Sequence, residues 1–204
     1  MFCENYDAFV HTLTQHGYTV HTAASAEAAK ALALSLIGAG SVGCGGSMTV
    51  KDIGLYDALG AQGNTMYNHS TVPPQERSGV FLQAARADWY LCSTNALTLD
   101  GKLINIDGVG NRVGGMFSGP KKVLLIIGKN KLADTYDAGM ERVKRVACVK
   151  NTRRLNKKTP CAATGACADC SSPDRICNVT SIIEYKPGWV QELHLILVDA
   201  ELGY

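Results

Sequence analysis

The apolar residues of the chain alternate between helical spacing and short continuous runs. Glu4–Gln15 carries apolar side chains at helical spacing, which predicts a first helix. Val123–Ile127 is apolar at every position, which predicts a central parallel strand covered on both faces. Asp100 and Gly101 lie between two apolar runs, a pattern typical of a hairpin turn. Repeated strand–helix units of this kind predict an α/β fold with a mostly parallel sheet flanked by helices.

The same rules predict the remaining elements. Further helices are expected over Ala26–Ile37, Thr49–Leu59, Gln75–Ala85 and Ala133–Ala147. Further strands are expected over Tyr18–His21, Ser41–Gly43, Asn64–Tyr67, Trp89–Ser93, Ala96–Leu99, Lys102–Ile106, Val179–Tyr185 and Glu192–Val198. No internal repeat interrupts this order, and the length is that of one domain, which we place over residues 1–204.

Composition narrows the class of protein. Twenty Lys and Arg against eighteen Asp and Glu leave a net charge of +2, and 46% of the residues are hydrophobic. High hydrophobic content with low net charge excludes a disordered chain. We also expect no nucleic-acid partner, because binding phosphates requires an excess of basic residues. No apolar run approaches the roughly 18–20 residues of a membrane span. The first residues lack a basic stretch, so we expect no signal peptide and reduced cysteines.

A glycine-rich turn, Gly43–Thr49, joins a predicted strand to a predicted helix. Glycines allow a ligand to approach the backbone, and a helix N-terminus offers unpaired N–H groups to an anion. The ligand-binding candidates here are Gly45, Gly46, Ser47 and Thr49. The turn matches neither the phosphate-binding P-loop nor the dinucleotide signature. The alternative is a tight structural turn in which Ser47 caps the helix.

A second polar segment runs from Asn95 to Arg112. Asp107 is a candidate general base, and Lys102 or Arg112 a candidate holder of an anionic group. Asn95 and Asn111 add side-chain amides as ligand-binding candidates. Two alternatives remain open: Asp107 caps the turn that follows its strand, and Arg112 makes a structural ion pair.

Four of the eight cysteines lie within one short loop, residues 159–178, and they are Cys161, Cys167, Cys170 and Cys177. Four thiolates suit a zinc ion or an iron–sulfur cluster, although their spacing fits neither ferredoxins nor paired zinc knuckles. The alternatives are a redox pair, Cys167 with Cys170, or plain structural thiols. Outside the loop, Cys3, Cys92 and Cys148 are expected to be ordinary thiols.

Five motifs in this order resemble LUD-domain proteins of the lactate utilization protein C type, and most closely their short cysteine-containing branch. They are GCGGSMT, STNALTLDGKLINIDGVGNRV, GPKKVLLIIGKNKL, TPCAATGACADC and SSPDRICN. The resemblance covers about Tyr18 to Tyr204. It implies the fold of the ribose-5-phosphate isomerase and CoA-transferase superfamily. It also implies a cytoplasmic bacterial or archaeal protein linked to oxidation of lactate or related hydroxy acids.

A fainter similarity to sugar-phosphate isomerases concerns the site. In ribose-phosphate isomerases a turn like Gly43–Thr49 binds the substrate phosphate. In methylthioribose-phosphate isomerases a catalytic Asp stands where this chain has Asn95. An amide cannot act as a general base, so the similarity implies a retained pocket without that isomerase reaction.

Three hypotheses of function follow. In the first, the chain is a component of organic-acid oxidation that binds a hydroxy acid, acyl or phosphate ester. Its cysteine loop then carries an iron–sulfur cluster or zinc, or docks iron–sulfur oxidoreductase subunits. In the second, it is an acyl-transferase or sugar-phosphate isomerase-like enzyme in which zinc is only structural. Asn95, which stands in place of a catalytic Asp, argues against this hypothesis. In the third, it senses a ligand or assembles partners without catalysis, against which the dense polar segment counts.

Overall fold

The strands form where the sequence has its short apolar runs, and a computed structural model describes them within residues 3–204. They are β1 (Thr19–Ala23), β2 (Ser41–Cys44), β3 (Thr65–Asn68), β4 (Trp89–Cys92), β5 (Ala96–Thr98), β6 (Leu103–Asp107), β7 (Lys122–Gly128), β8 (Leu132–Ala133), β9 (Val179–Ile183) and β10 (Glu192–Val198). Six of them form one sheet in the order β1-β10-β7-β4-β2-β3, and all neighbouring pairs are parallel. Met1 and Phe2, part of the N-terminal stretch in which no signal peptide is expected, lie outside the described residues.

The helices follow the stretches of helical apolar spacing. They are α1 (Tyr6–Gln15), α2 (Ala26–Ile37), α3 (Met48–Asp52), α4 (Leu55–Ala61), α5 (Arg77–Ala84), α6 (Asn111–Phe117), α7 (Tyr136–Arg142), α8 (Cys148–Arg154) and α9 (Pro160–Thr164). A π-helical turn, Val143–Ala147, joins α7 to α8. Across the described part of the chain, no helix has the length and apolarity needed to cross a membrane.

The core lies on both faces of the large sheet, which confirms the predicted α/β fold with a mostly parallel sheet. Strand β7 is central, and its alternate side chains enter two different apolar clusters. Leu125 packs with residues of α1 and α6 on one face, whereas Leu124 packs with residues of α2 and α4 on the other. Both leucines are fully buried, as expected for a parallel strand covered on both sides.

A second, smaller sheet has the strand order β8-β5-β6-β9. The predicted hairpin at Asp100 and Gly101 is confirmed, since β5 and β6 pair antiparallel across it. The last two predicted strands belong to different sheets. Strand β9 pairs with β6 in the small sheet, whereas β10 pairs with β1 and β7 in the large one. The small sheet therefore attaches the cysteine loop, which precedes β9, to the polar segment around β6.

Two predicted helices differ in extent. The helix expected over Thr49–Leu59 is broken into α3 and α4, because Gly54 adopts a left-handed conformation with φ 66° between them. The helix expected over Ala133–Ala147 starts later, at Tyr136, and continues through the π-helical turn to Arg154. This extension brings α8 beside the carboxyl edge of the sheet.

Candidate functional site

A cleft of about 490 Å³ opens at the carboxyl edge of the large sheet. Its walls come from the turns after β2 and β4, the end of β6, the start of α6, the turn after β7, and α8. Open parallel sheets bind ligands at this edge. The cleft is lined by nearly all the catalytic and ligand-binding candidates of the sequence: Gly45, Gly46, Ser47, Thr49, Asn95, Asp107, Asn111 and Arg112.

Lys102 is the candidate that the structure does not bring to the cleft. It precedes β6, whereas Asp107 ends that strand, so the two residues lie at opposite ends of it. The Lys102 ammonium group instead pairs with the carboxylate of Asp100 in the hairpin turn. This hydrogen bond raises the pKa of the Lys102 ammonium group. The position of Lys102 gives it no contact with a ligand in the cleft.

The glycine turn has both of the properties considered for it. Ser47 caps α3, because its Oγ accepts a hydrogen bond of 3.3 Å from the Val50 amide. The Ser47 amide itself donates to the Tyr56 hydroxyl at 3.1 Å. Gly45 is required by packing, since a Cβ there would lie 2.6 Å from the sulfur of Cys92. The turn is thus internally satisfied and at the same time forms one wall of the cleft.

Arg112 organises the opposite wall. Its five N–H groups are directed at protein acceptors, namely Asp107 Oδ1, Asn95 Oδ1, Asn105 Oδ1, and the carbonyl oxygens of Ser93 and Ile106. The Nε–Oδ1 distance to Asp107 is 2.9 Å, and both side chains are about nine-tenths buried. Because a guanidinium group has five N–H donors, this geometry favours the structural ion pair over a holder of ligand carboxylates.

Asp107 and Asn95 are held by the same network. Asp107 Oδ2 accepts from the Val113 amide at 3.0 Å, so the carboxylate also caps α6. Asn95 Oδ1 accepts from Arg112 at 2.8 Å and from the Ile106 amide at 3.0 Å. Among the described residues, no partner binds the Asn95 Nδ2 group, and this residue lines the cleft. Asn95 therefore has a donor left for a ligand, whereas Asp107 is fixed in place.

Lys131 is a site residue that the sequence reasoning missed. It follows β7 and is only 3% exposed. Its Nζ lies 2.8 Å from Thr49 Oγ1, 2.9 Å from Ser93 Oγ and 3.2 Å from the Thr94 carbonyl oxygen. Burial, with the nearby charge of Arg142, lowers its pKa to about 7. The available signal was the polar turn Lys129–Lys131 after the apolar run Val123–Ile127, since the turns that follow parallel strands meet at the carboxyl edge.

The remaining lining of the cleft is basic. Its cationic side chains are Arg77, Arg112, Lys131, Arg154, Lys157 and Arg175, while Asp107 is the one acidic residue among the described residues that line it. Tyr204 also lines the cleft, and its hydroxyl is bound by Arg154 Nε at 2.8 Å. Among the described residues, Arg77 makes no hydrogen bond or ion pair. The near-neutral chain thus concentrates positive charge at this one place.

The four cysteines of the loop line a second cavity of about 270 Å³, together with Cys148 of α8. Cys148, expected to be an ordinary thiol, hydrogen-bonds to the Cys177 sulfur. This bond and the nearby Arg175 guanidinium lower the pKa of Cys177 to about 7. Ile106, Cys148, Arg175 and Ile176 line both cavities, so the cysteine cavity adjoins the cleft.

The donors of this cavity suit zinc or an iron–sulfur cluster, since both take thiolates. Their arrangement is not that of a formed metal site, because within residues 3–204 no three His, Cys, Asp or Glu side chains are grouped closely enough to hold a metal ion. The Cys161 sulfur instead contacts the Thr159 hydroxyl at 3.2 Å. A metal or cluster at Cys161, Cys167, Cys170 and Cys177 therefore stays a prediction.

The fold and the site together define a parallel α/β domain with a basic cleft at the carboxyl edge of its sheet. The chain belongs to the LUD domain family, whose model matches residues 6–198. A solved structure described as a DUF162 family protein from Deinococcus radiodurans is similar, with a TM-score of 0.51 and 14% identity over 95% of each chain. At that identity the likeness concerns the fold alone. No curated protein matches the chain.

Proposed function

We propose that this protein binds a small anionic ligand in the basic cleft and serves as a component of lactate or related organic-acid oxidation. The observation that carries the proposal is the charge of the cleft, which is lined by five arginine and lysine side chains besides Lys131 and by one carboxylate among the described residues. Membership of the LUD domain family, which is associated with lactate utilization, supports the substrate class. The ligand class is a hydroxy acid, an acyl group with an anionic end, or a phosphate ester.

The side chains that line the cleft differ in how many of their hydrogen-bond donors are already bound by protein acceptors. Arg77 at the mouth of the cleft has no protein partner among the described residues, so its guanidinium group can bind a carboxylate in a bidentate manner. Within residues 3–204, the one ion-pair partner of the Lys157 ammonium group is Asp174, at 3.9 Å. The Asn95 amide group supplies a neutral donor deeper in the cleft. Arg112 is saturated by protein acceptors and therefore positions Asn95 and Asp107 rather than the ligand.

The proposed role in organic-acid oxidation also implies a protein partner. Oxidation of a hydroxy acid releases electrons, so it requires a component that accepts them. We assign that part to iron–sulfur oxidoreductase subunits, because iron–sulfur clusters transfer electrons. The cysteine cavity is the place where electrons would pass from the ligand in the cleft to the partner, since both cavities share the wall that contains Arg175.

The test is a titration calorimetry series with lactate, pyruvate and inorganic phosphate. Arg77→Ala should weaken binding by about tenfold, the value of one charge-assisted hydrogen bond. Arg86→Ala is the matched control, because this exposed arginine follows the same helix, α5, and does not line the cleft. Affinity in the wild type should fall as salt is added. Absence of binding by all three ligands, or equal affinities for the two variants, would refute the proposal.

A further inference from the structure

A serine hydroxyl and a lysine amine lie in contact at the base of the cleft. Ser93 follows β4 and Lys131 follows β7, so the parallel pairing of these adjacent strands brings their ends together. Ser93 Oγ is 2.9 Å from Lys131 Nζ, and both residues line the cleft while being 3% exposed. A nucleophile needs a base within hydrogen-bond reach, and a serine–lysine pair is one of the arrangements that meets this need.

The hydrogen-bond partners of Lys131 allow its neutral amine to accept a proton from the Ser93 hydroxyl. A neutral amine has two N–H groups and one lone pair, and the Nζ of Lys131 has three oxygen partners. The Thr94 carbonyl oxygen can only accept. The Thr49 hydroxyl has an acceptor of its own, the Leu202 carbonyl oxygen at 3.3 Å, and so can accept from the amine. The Ser93 hydroxyl has the Thr94 carbonyl oxygen as another acceptor at 3.4 Å, but the Lys131 amine is closer at 2.9 Å, so the Ser93 hydroxyl is in position to donate to the lone pair.

Lys131 is also able to lose its proton near neutral pH. Burial is the largest cause, and the charges of Arg142 and Arg112 add to it, while Cys92 and Asp52 act in the opposite direction. The resulting pKa of about 7 keeps a substantial fraction of the amine neutral in the cell's pH range. A general base works best when its pKa lies near the working pH.

We propose that Ser93 and Lys131 form a nucleophile–base pair that accepts an acyl group from a small acyl thioester. Ser93 Oγ bonds to the acyl carbon as its proton passes to the Lys131 amine. The carbon–sulfur bond then breaks, and the thiolate leaves with the proton from the Lys131 ammonium group. Water attacks the serine ester with Lys131 again as base, which releases the carboxylic acid and restores the Ser93 hydroxyl.

The rest of the cleft suits this reaction. The Asn95 Nδ2 group, without a protein partner among the described residues, is the donor available for the oxyanion of the tetrahedral intermediate. Its orientation is fixed because its Oδ1 accepts two hydrogen bonds, from Arg112 and from the Ile106 amide. Anion binding is not needed for the acyl step itself, so the pair can be tested independently of the ligand proposed above.

The probe is p-nitrophenyl acetate, a neutral activated ester, followed by nitrophenolate release and by peptide mass spectrometry. Acetylation should appear on the peptide that contains Ser93, at a rate that rises as the pH passes about 7 and Lys131 is deprotonated. Ser93→Ala should abolish this adduct, and Lys131→Met should slow it about 100-fold or more. Ser35→Ala, which removes an exposed hydroxyl of α2 that does not line the cleft, should leave the rate of acetylation at Ser93 unchanged.

Two results would overturn the proposal: acetylation confined to cysteines or surface lysines in the wild type, or an unchanged rate in Ser93→Ala. Ser93→Ala removes one oxygen atom, so its fold can be checked by circular dichroism even where Lys131→Met proves unstable. Failure of acylation with intact lactate or phosphate binding would refute the pair alone. Acylation without anion binding would refute the proposed ligand and leave the pair standing.

Discussion

Replacing Arg112 with alanine removes the partner of a buried carboxylate. The side chains of Arg112 and Asp107 are 10% and 9% exposed and lie 2.9 Å apart. Removing one partner of a buried ion pair costs about 3–5 kcal/mol, because the remaining charge is left without solvation. The Asn95 and Asn105 carbonyl groups lose a donor in the same substitution. We therefore expect a loss at the upper end of this range.

The assay is urea unfolding followed by circular dichroism. For a small protein, a loss of this size moves the midpoint by more than about 1 M urea. Arg145→Ala is the control, because the Arg145–Glu141 pair is solvent-exposed and worth at most about 0.5 kcal/mol. Adding Asp107→Asn to Arg112→Ala should recover part of the loss, since the uncompensated charge is removed.

The reasoning fails if Arg112→Ala unfolds at the same urea concentration as Arg145→Ala. That result would mean that the guanidinium network adds no stability and that Arg112 is free to serve a ligand. It also fails if Asp107→Asn adds to the loss caused by Arg112→Ala rather than reducing it, because then the carboxylate would not be the charge that Arg112 neutralises.

Three further predictions test other parts of the site. The pKa of Lys131 lies near 7 in the folded chain, below that of an exposed lysine, so the unfolded chain binds more protons between these values. The stability of the wild type relative to Lys131→Met should thus rise as the pH increases from about 7 towards 10. Protein purified without oxygen should contain zinc or absorb near 400 nm as an iron–sulfur protein, and Cys161→Ser should lose the metal while Cys3→Ser keeps it; metal-free wild type of full stability would contradict this. Gly45→Ala should destabilise by about 1–3 kcal/mol, since its Cβ would lie 2.6 Å from a buried sulfur, whereas Gly60→Ala has open space in a helix and should stabilise slightly by thermal unfolding.

Patterns that depend on local chain geometry predicted the fold well. The run Val123–Ile127 indicated a central strand, because a strand covered on both faces has no polar positions. The break at Gly54 was not predicted, since an isolated glycine in a helical pattern is usually tolerated at a modest cost. Gly54 adopts a left-handed conformation between α3 and α4. The packing of these two helices is a tertiary property, so it could not be read from this segment of the sequence alone.

The site was predicted where its residues are close in sequence and missed where they are distant. Lys102 was chosen because it lies near Asp107 along the chain, but the four strand residues between them separate their side chains in space. Lys131 lies 38 residues after Ser93 and meets it only because β4 and β7 are parallel neighbours. Cys148 joins the cysteine cavity for the same kind of reason, through the extension of the helix into α8.

The position of Arg175 connects the two cavities in physical terms. Its guanidinium group donates to the carbonyl oxygens of Cys170 and Cys177, so it connects the last two cysteines of the loop. The same side chain lines the basic cleft and pairs with the exposed Asp169 at 3.0 Å. An exposed ion pair contributes little to stability. The contact with Asp169 therefore adds little to the stability of the chain, whereas the two hydrogen bonds to carbonyl oxygens order the backbone of the cysteine loop beside the cleft.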